Sequence, residues 1–294
     1  MTKIAFIGMG EAGGLLAQGL KGAGAEVRAT YDILIDDKAK APAFEARVRE
    51  FGILASPTAK EAVNGTEVVI SAVVSNQMVV AASNVAPHLK AGQFYLDINS
   101  ASPDMKREAA ALVEAQGADY VEAAVMDLVP PHGHKVPMLL AGKKADKLAA
   151  ILGGLGMNVR AIGTNIGDAS AIKMIRSVFM KGFTAILLEC LTAASKLNAE
   201  EEILSSLQVS FPDLDWRKTA DYYAPRLIKH SLRQAAEMHE VAGTLEELGV
   251  KPITAEATAE RLQWLADFGL ADSQPVLPKT YQEMLKMIRD AERN

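Results

Sequence analysis

Short apolar segments alternate with longer helical segments through the first half of the chain. The short segments are rich in β-branched residues, which favours strands, and they cover 3–8, 25–32, 66–74, 93–99, 119–125, 136–143 and 158–163. The longer segments are rich in Ala, Leu, Lys and Glu and predict helices over 11–22, 41–51, 76–90, 104–116 and 144–153. This alternation predicts an α/β domain with a doubly wound, mainly parallel sheet covered by helices on both faces.

Helical periodicity takes over after Gly163, and no further strand is predicted. Helices are predicted over 168–195, 199–208, 215–223, 225–248, 252–270 and 278–292. Turns or helix starts are predicted at five prolines, Pro212, Pro225, Pro252, Pro275 and Pro278. We therefore predict two domains, an α/β domain over 1–163 and an all-α domain over 164–294.

The helix predicted over 168–195 has a lysine, Lys173, at the centre of a polar stripe. At 100° per residue the apolar side chains of this helix fall away from Lys173. The stripe consists of Ser170, Arg176, Ser177, Lys181 and Thr184. A solvated face whose basic side chains reach water explains this pattern, and so does the polar floor of a cleft.

A glycine-rich turn, G-x-G-x-x-G, follows the first predicted strand. Gly8 permits a tight turn, Gly10 lets the backbone approach a pyrophosphate, and Gly13 allows close packing of helix on strand. The free amides at the start of the next helix suit phosphates. The motif predicts a Rossmann-type dinucleotide site formed by Gly8, Met9, Gly10, Glu11, Ala12, Gly13, Asp32, Val74 and Asn99.

The residues after the second strand favour NAD over NADP. Asp32 ends that strand, where a carboxylate binds ribose hydroxyls and repels a 2′-phosphate. Ile33 follows, where an NADP enzyme would often have arginine. Lys38 and Lys40 lie further along the loop, so NADP is not excluded, and Asp32 as an ordinary solvated turn residue is the alternative.

Polar residues also follow the fourth and fifth predicted strands, 93–99 and 119–125. Ligands of doubly wound sheets bind beyond the carboxyl ends of the strands, which makes Asn99, Ser100 and Asp127 candidates to contact a substrate. Amide and hydroxyl groups there offer donors and acceptors for hydroxyl or carboxylate oxygens. Asn99 and Ser100 could instead only cap the helix that follows.

Metal and disulfide chemistry have little support in the sequence. The single cysteine, Cys190, excludes an intramolecular disulfide and an all-cysteine metal site. His132 and His134 form an H-x-H pair with no clear carboxylate partner, so we predict no metal.

Composition narrows the classes of partner. Of the 294 residues 49% are apolar and 23% charged, as in globular proteins, and the net charge of −5 lacks the basic footprint of a nucleic-acid binder. The N-terminal apolar run is too short for a secretory signal. No apolar stretch reaches the roughly 20 residues that cross a bilayer. We therefore predict a cytoplasmic protein without nucleic-acid or membrane partners.

Three motifs together resemble the β-hydroxyacid dehydrogenase superfamily, which includes 3-hydroxyisobutyrate and 6-phosphogluconate dehydrogenases. They are GMGEAG in the glycine turn, DINSASP after the fourth strand, and GTNIGDASAIKMIRS at the start of the second domain. Residues 233–252 look most like the phosphogluconate-dehydrogenase-like branch. The resemblance implies a homodimer or larger oligomer whose interface is the helical domain.

The resemblance also implies roles for individual residues. The family's catalytic lysine falls on Lys173, and its substrate-binding residue in the fourth loop falls on Asn99, with Ser100 beside it. Ser177 stands where the family usually has asparagine, and Arg176 where 6-phosphogluconate dehydrogenases tend to have histidine. Met126 and Asp127, with Leu128, replace the family's Ser-Gly-Gly loop, which argues against the usual substrates of either enzyme.

These residues predict proton transfer by lysine without a metal. Burial and the charges of Arg176 and Lys181 would lower the pKa of Lys173 towards neutrality, and Arg176 could bind a carboxylate bidentately. We predict an NAD-dependent oxidoreductase acting on a hydroxy acid or its carbonyl partner, with Lys173 as general acid and base. Oxidative decarboxylation of a 3-hydroxy acid, imine reduction and non-catalytic dinucleotide binding are the alternatives.

Overall fold

The structure is a computed structural model that describes residues 1–273 and 276–293, so the turn predicted at Pro275 lies outside the described residues. Contacts group the chain into two compact units that divide between Lys173 and Met174, inside one helix. The sequence places its boundary earlier, at the end of the last strand. Each unit has its own apolar core.

The described residues of the first unit form one eight-stranded sheet in the order β3-β2-β1-β4-β5-β6-β7-β8. The strands are parallel except between β6 and β7, which pair antiparallel. They are β1 (Lys3–Ile7), β2 (Glu26–Tyr31), β3 (Leu54–Ala55), β4 (Val68–Ser71), β5 (Phe94–Asp97), β6 (Asp119–Val125), β7 (Met138–Ala141) and β8 (Val159–Gly163). The predicted fold class is confirmed, and only the two-residue β3 was missed.

Helices cover both faces of this sheet, as its two buried apolar clusters require. They are α1 (Glu11–Gly22), α2 (Ala41–Glu50), α3 (Ala59–Val63), α4 (Met78–Val85), α5 (Pro103–Glu114), α6 (Val129–His132) and α7 (Ala145–Gly154). The helix predicted over 76–90 is shorter, because a tighter turn with Pro87 follows Val85. The short helices α3 and α6 were not predicted.

The described part of the second unit is helical. Its helices, counted from the one that crosses the boundary, are α8 (Asp168–Ser195), α9 (Glu200–Ser210), α10 (Trp216–Glu247), α11 (Ile253–Ala266), α12 (Leu270–Ser273) and α13 (Tyr281–Ala291). The predicted bounds of α8 are reproduced residue for residue.

One prediction for this unit is wrong. Two helices are predicted over 215–223 and 225–248, but Pro225 lies inside the single helix α10, which runs without a break from Trp216 to Glu247. Pro225 is buried, and Ala224, Leu227 and Ile228 continue the buried face across it. Packing of that face outweighs the one backbone hydrogen bond that a proline removes.

Helix α8 also departs from expectation, because by length and composition alone it could cross a membrane. The sequence predicted no such stretch. Of its most apolar window 44% is buried inside the fold, and Leu187, Leu188 and Leu191 belong to the core of the second unit. Part of α8 therefore packs inside the second unit, while other apolar side chains of this helix, such as Phe179, are exposed.

Candidate functional site

The three glycines of the turn between β1 and α1 differ in the space around their Cα atoms. Gly8 has φ +88°, and a Cβ there would lie 2.4 Å from the carbonyl oxygen of Ala72. At Gly13 a Cβ would lie 2.8 Å from the carbonyl oxygen of Gly8. At Gly10 a Cβ would meet nothing within 4 Å, and this residue is exposed. The turn is therefore closed on its protein side and open at Gly10, before the free amides of α1, as a bound pyrophosphate requires.

Asp32 lies beside this turn at the end of β2. Its carboxylate accepts hydrogen bonds from the backbone N–H groups of Met9 and Leu34, both at 3.0 Å. The half-buried side chain thus joins the loop after β2 to the glycine turn. An ordinary solvated turn residue would not make the long-range contact to Met9, so this alternative does not describe Asp32.

Two of the basic side chains near Asp32 in the sequence are already paired. Lys40 pairs with Asp37 at 3.1 Å, and Arg28 pairs with Glu26 at 2.5 Å. Sequence reasoning missed Arg47, whose guanidinium on α2 donates to the carbonyl oxygen of Met9 at 2.5 Å. No local pattern marks Arg47, because its contact is with a distant part of the chain.

Asn99, a candidate to contact cofactor or substrate, is buried in the structure. Its side chain is 5% exposed. The amide nitrogen donates to Asp97 Oδ1 at 2.6 Å and to Ser71 Oγ at 3.0 Å, and the amide oxygen accepts from the N–H of Val73 at 2.6 Å. Asn99 therefore ties the loop after β5 to the loop after β4.

The helix-cap alternative for Asn99 and Ser100 is also wrong. The cap of α5 is Ser102, whose hydroxyl accepts from the N–H of Met105. Ser100 is half-buried, and its carbonyl oxygen accepts a hydrogen bond from the hydroxyl of Ser75. Next to Ser75, Val74 is 67% exposed. Ser100 and Val74 therefore lie on two loops held together at the carboxyl edge of the sheet.

The loop after β6 forms its own local contacts. Met126 is half-buried and Asp127 is exposed. Asp127 accepts from the N–H of Leu128 at 2.7 Å and lies 3.2 Å from the imidazole of His132. The His134 ring packs against α1 so closely that a Cβ on Gly19 would clash with it. Among the described residues no group of three or more His, Cys, Asp or Glu side chains could hold a metal ion.

Lys173 lies one turn into α8, on the part of this helix that belongs to the first unit. The start of α8 is held by Glu122 of β6, which accepts from the N–H groups of Gly167 at 2.6 Å and Ala169 at 3.1 Å, and from the hydroxyl of Ser170 at 2.9 Å. Lys173 itself is half-buried.

The polar stripe of α8 is not a solvated face. Ser170 and Thr184 are 4% and 8% exposed. The ammonium group of Lys181 pairs with Glu237 at 3.0 Å. Ser177 is half-buried, and Arg176 is the exposed member of the stripe. The interpretation of the stripe as a solvated face therefore does not hold for most of these side chains.

Glu122 was missed by sequence reasoning, although a signal exists. It is the single charged residue within the strand DYVEAAV after its first position, and it is fully buried. Burial raises the pKa of the Glu122 carboxyl, whereas the charge of Lys106 and the hydrogen bonds from α8 lower it. A charge in an otherwise apolar buried strand needs partners, and here they are the amides that begin α8.

Comparison with known proteins agrees with this geometry. Residues 3–163 match the family described as the NAD binding domain of 6-phosphogluconate dehydrogenase, and residues 194–265 match a domain of unknown function, DUF1932. A conserved hypothetical protein from Sinorhizobium meliloti 1021 is 38% identical, with a TM-score of 0.79, over 100% of this chain and 97% of that chain.

Two further structures share the fold. Conserved protein MTH1747, of unknown function and described as similar to 3-hydroxyacid dehydrogenases, is 32% identical over 90% of this chain and 97% of its own, with a TM-score of 0.74. Mycobacterium tuberculosis 3-hydroxyisobutyrate dehydrogenase, solved with L-serine, is 19% identical over 98% of this chain and 99% of its own, with a TM-score of 0.76. Imine reductases share the fold as well.

The glycine turn, the doubly wound sheet and the helical unit define an oxidoreductase class that binds a nicotinamide dinucleotide. Within that class, the chain belongs to the β-hydroxyacid dehydrogenase superfamily, as its motifs predicted.

Proposed function

We propose that this protein is an NAD-dependent oxidoreductase that interconverts a hydroxy acid and its carbonyl partner. The observation that carries the proposal is that one unit contains both the open glycine turn and Lys173, on a helix anchored to β6, the strand next to β5. A bound nicotinamide supplies or accepts the hydride. The chain has to bind the substrate and move one proton.

The residues divide this work by their surroundings. Lys173 takes the hydroxyl proton during oxidation and returns it during reduction. Ser100 offers its hydroxyl to the substrate, while the buried amide of Asn99 holds the two loops in place. Arg176 lies one turn beyond Lys173 and is exposed, so its guanidinium is available for a substrate carboxylate. Met126, Asp127 and Ser177 complete the proposed substrate contacts.

A panel of hydroxy acids tests this proposal. Reduced cofactor should form with one class of hydroxy acid and NAD, in proportion to enzyme concentration. Carbon dioxide released together with reduced cofactor would identify oxidative decarboxylation of a 3-hydroxy acid. Turnover of cyclic imines alone would favour imine reduction, and tight cofactor binding with no turnover of any substrate would leave a non-catalytic dinucleotide-binding protein.

We expect NAD to bind at least about tenfold more tightly than NADP, since Asp32 would repel a 2′-phosphate. Asp36 and Asp37 add negative charge to the same loop, and Lys40 is paired with Asp37. Calorimetric titration of both cofactors at fixed ionic strength measures the ratio, and Asp32→Asn should reduce it. Equal or tighter binding of NADP would mean that Arg28, Lys38 or Lys40 governs the pocket instead.

We also propose that the helical unit forms a homodimer through α8. Ile175, Phe179 and Ile186 are 47%, 73% and 66% exposed and lie along one side of this helix. With Val250 and Ile253 they line an apolar groove of about 620 Å³. Monomeric proteins seldom expose a contiguous apolar patch of this kind. A second α8, related by a two-fold axis, presents the same stripe and would cover it.

Sedimentation should therefore give a particle of twice the 31.4 kDa chain mass at micromolar concentration. Phe179→Asp should shift it towards the monomer, because a charge buried in the interface is costly. Val209→Asp is the matched control, since Val209 is 84% exposed and lies outside the groove. A wild-type monomer, or a Phe179→Asp variant that sediments like the wild type, would contradict the proposed interface.

A further inference from the structure

Three ionisable side chains lie in the interior of the first unit, below the loops that carry the proposed site. Asp97 ends β5, Glu122 lies directly opposite it on β6, and both are 0% exposed. Lys106 of α5 is buried as well, and its ammonium group donates to Asp97 Oδ1 at 2.9 Å and to the Asp97 carbonyl oxygen at 3.1 Å. Burial raises the pKa of the Glu122 carboxyl, and the charge of Lys106 acts against that rise.

Stability alone does not explain this arrangement. The free energy needed to remove these charges from water is about as large as the free energy gained from their attraction. Well-packed apolar residues in the same place often give a protein the same stability. A buried network in which each polar group has its partner instead restricts the groups attached to it to one arrangement. The groups attached to this network are the ones that the proposed reaction uses.

Asp97 controls the two loops at the carboxyl edge. Its Oδ1 accepts from both the N–H and the amide nitrogen of Asn99, and its Oδ2 accepts from the hydroxyl of Tyr120 at 2.7 Å. Asn99 in turn binds the N–H of Val73. The backbone next to Val74 and Ser100 therefore depends on Asp97, which Lys106 holds.

Glu122 controls the start of the helix that carries Lys173. Its two oxygens accept from Gly167, Ala169 and Ser170, so the carboxyl group lies at the positive end of α8, which favours its ionised form. Burial disfavours this ionised form, and the nearby ammonium group of Lys106 favours it. Without that cation the anchor of α8 would weaken.

We propose that Lys106 is a positioning residue that sets both halves of the site, the Asn99 loop through Asp97 and the start of α8 through Glu122. Lys106 does not touch the substrate in this proposal. The inference deepens the proposed function and rests on it for its catalytic consequence, although its structural consequence can be measured without any substrate.

Lys106→Met tests the structural part by hydrogen–deuterium exchange. We expect the amides of Val73 and of Gly167–Ser170 to exchange at least about tenfold faster, because both anchors loosen locally. Lys143→Met is the matched control, since Lys143 is 75% exposed and pairs with Glu114 at the surface. Lys106→Met leaves the buried carboxylate of Asp97 without its ammonium partner. If this single variant does not fold, the double variant Asp97→Asn with Lys106→Met removes that carboxylate charge as well, and Glu122 still lacks the nearby cation.

In the folded variants, wild-type exchange at Gly167–Ser170 would overturn the proposal. Where the wild type turns over a hydroxy acid, we expect kcat to fall by about 10²-fold through misplacement, with the Michaelis constant for NAD nearly unchanged. An equal loss in kcat and cofactor affinity would indicate general disruption and would also count against positioning. If the wild type turns over no substrate, the proposed function fails, and the exchange result still decides the role of Lys106.

Discussion

Replacing Lys173 with methionine should lower the turnover number by about 10²–10⁴-fold, the usual contribution of a general acid–base group. Methionine keeps the length and much of the apolar packing of lysine but cannot carry a proton. The charge that develops on the substrate oxygen would also lose its cationic hydrogen-bond donor. Steady-state kinetics with the best substrate of the panel measures the loss.

Folding and NAD affinity should survive this change, because Lys173 lies one turn beyond the anchored start of α8 and away from the glycine turn in sequence. Thermal unfolding and calorimetry check both. Lys143→Met removes an exposed lysine from the same unit and should keep wild-type turnover. Near-normal turnover of Lys173→Met would show that the proton passes through another group.

Replacing Gly10 with valine should weaken NAD binding by at least about 100-fold while changing the free energy of unfolding by less than about 1 kcal/mol. Gly10 has φ −74° and ψ −162°, an extended conformation that valine adopts freely. A Cβ there meets no protein atom within 4 Å. The valine methyl groups would instead occupy the space through which a pyrophosphate approaches the backbone.

Gly22→Val is the control for this substitution. Gly22 ends the same helix, α1, and a Cβ there also meets nothing within 4 Å, so this variant carries the same change far from the turn. We expect it to bind NAD like the wild type. Unchanged NAD affinity in Gly10→Val would mean that the dinucleotide does not approach the chain at this turn.

The sequence alone determined the parts of this protein that depend on short-range patterns. The alternation of apolar and helical segments predicted seven of the eight strands in the described sheet. The helical periodicity of apolar residues predicted α8 over Asp168–Ser195. The glycine spacing also predicted the turn, because the positive φ at Gly8 is a local requirement. Motif order was enough to indicate the superfamily.

Tertiary structure decided the features that depend on partners far apart in the chain. Local signals made Pro225 a helix boundary, but the buried face of α10 carries the helix across it. Apolar periodicity cannot tell which side of α8 is covered, and Phe179 is exposed whereas Leu188 is buried. Packing against other elements, which no local pattern encodes, decides both cases.

The same reason applies to the candidate site. The sequence placed Asn99 in the right loop but not in the interior, and it gave no sign that Asp97, Lys106 and Glu122 meet there. Parallel strands bring Asp97 and Glu122 side by side only once the sheet has formed, and Lys106 reaches Asp97 from the next helix. Residue types and spacing determined the chemistry available to this protein, whereas long-range pairing determined which groups are buried to hold the site and which remain to face a ligand.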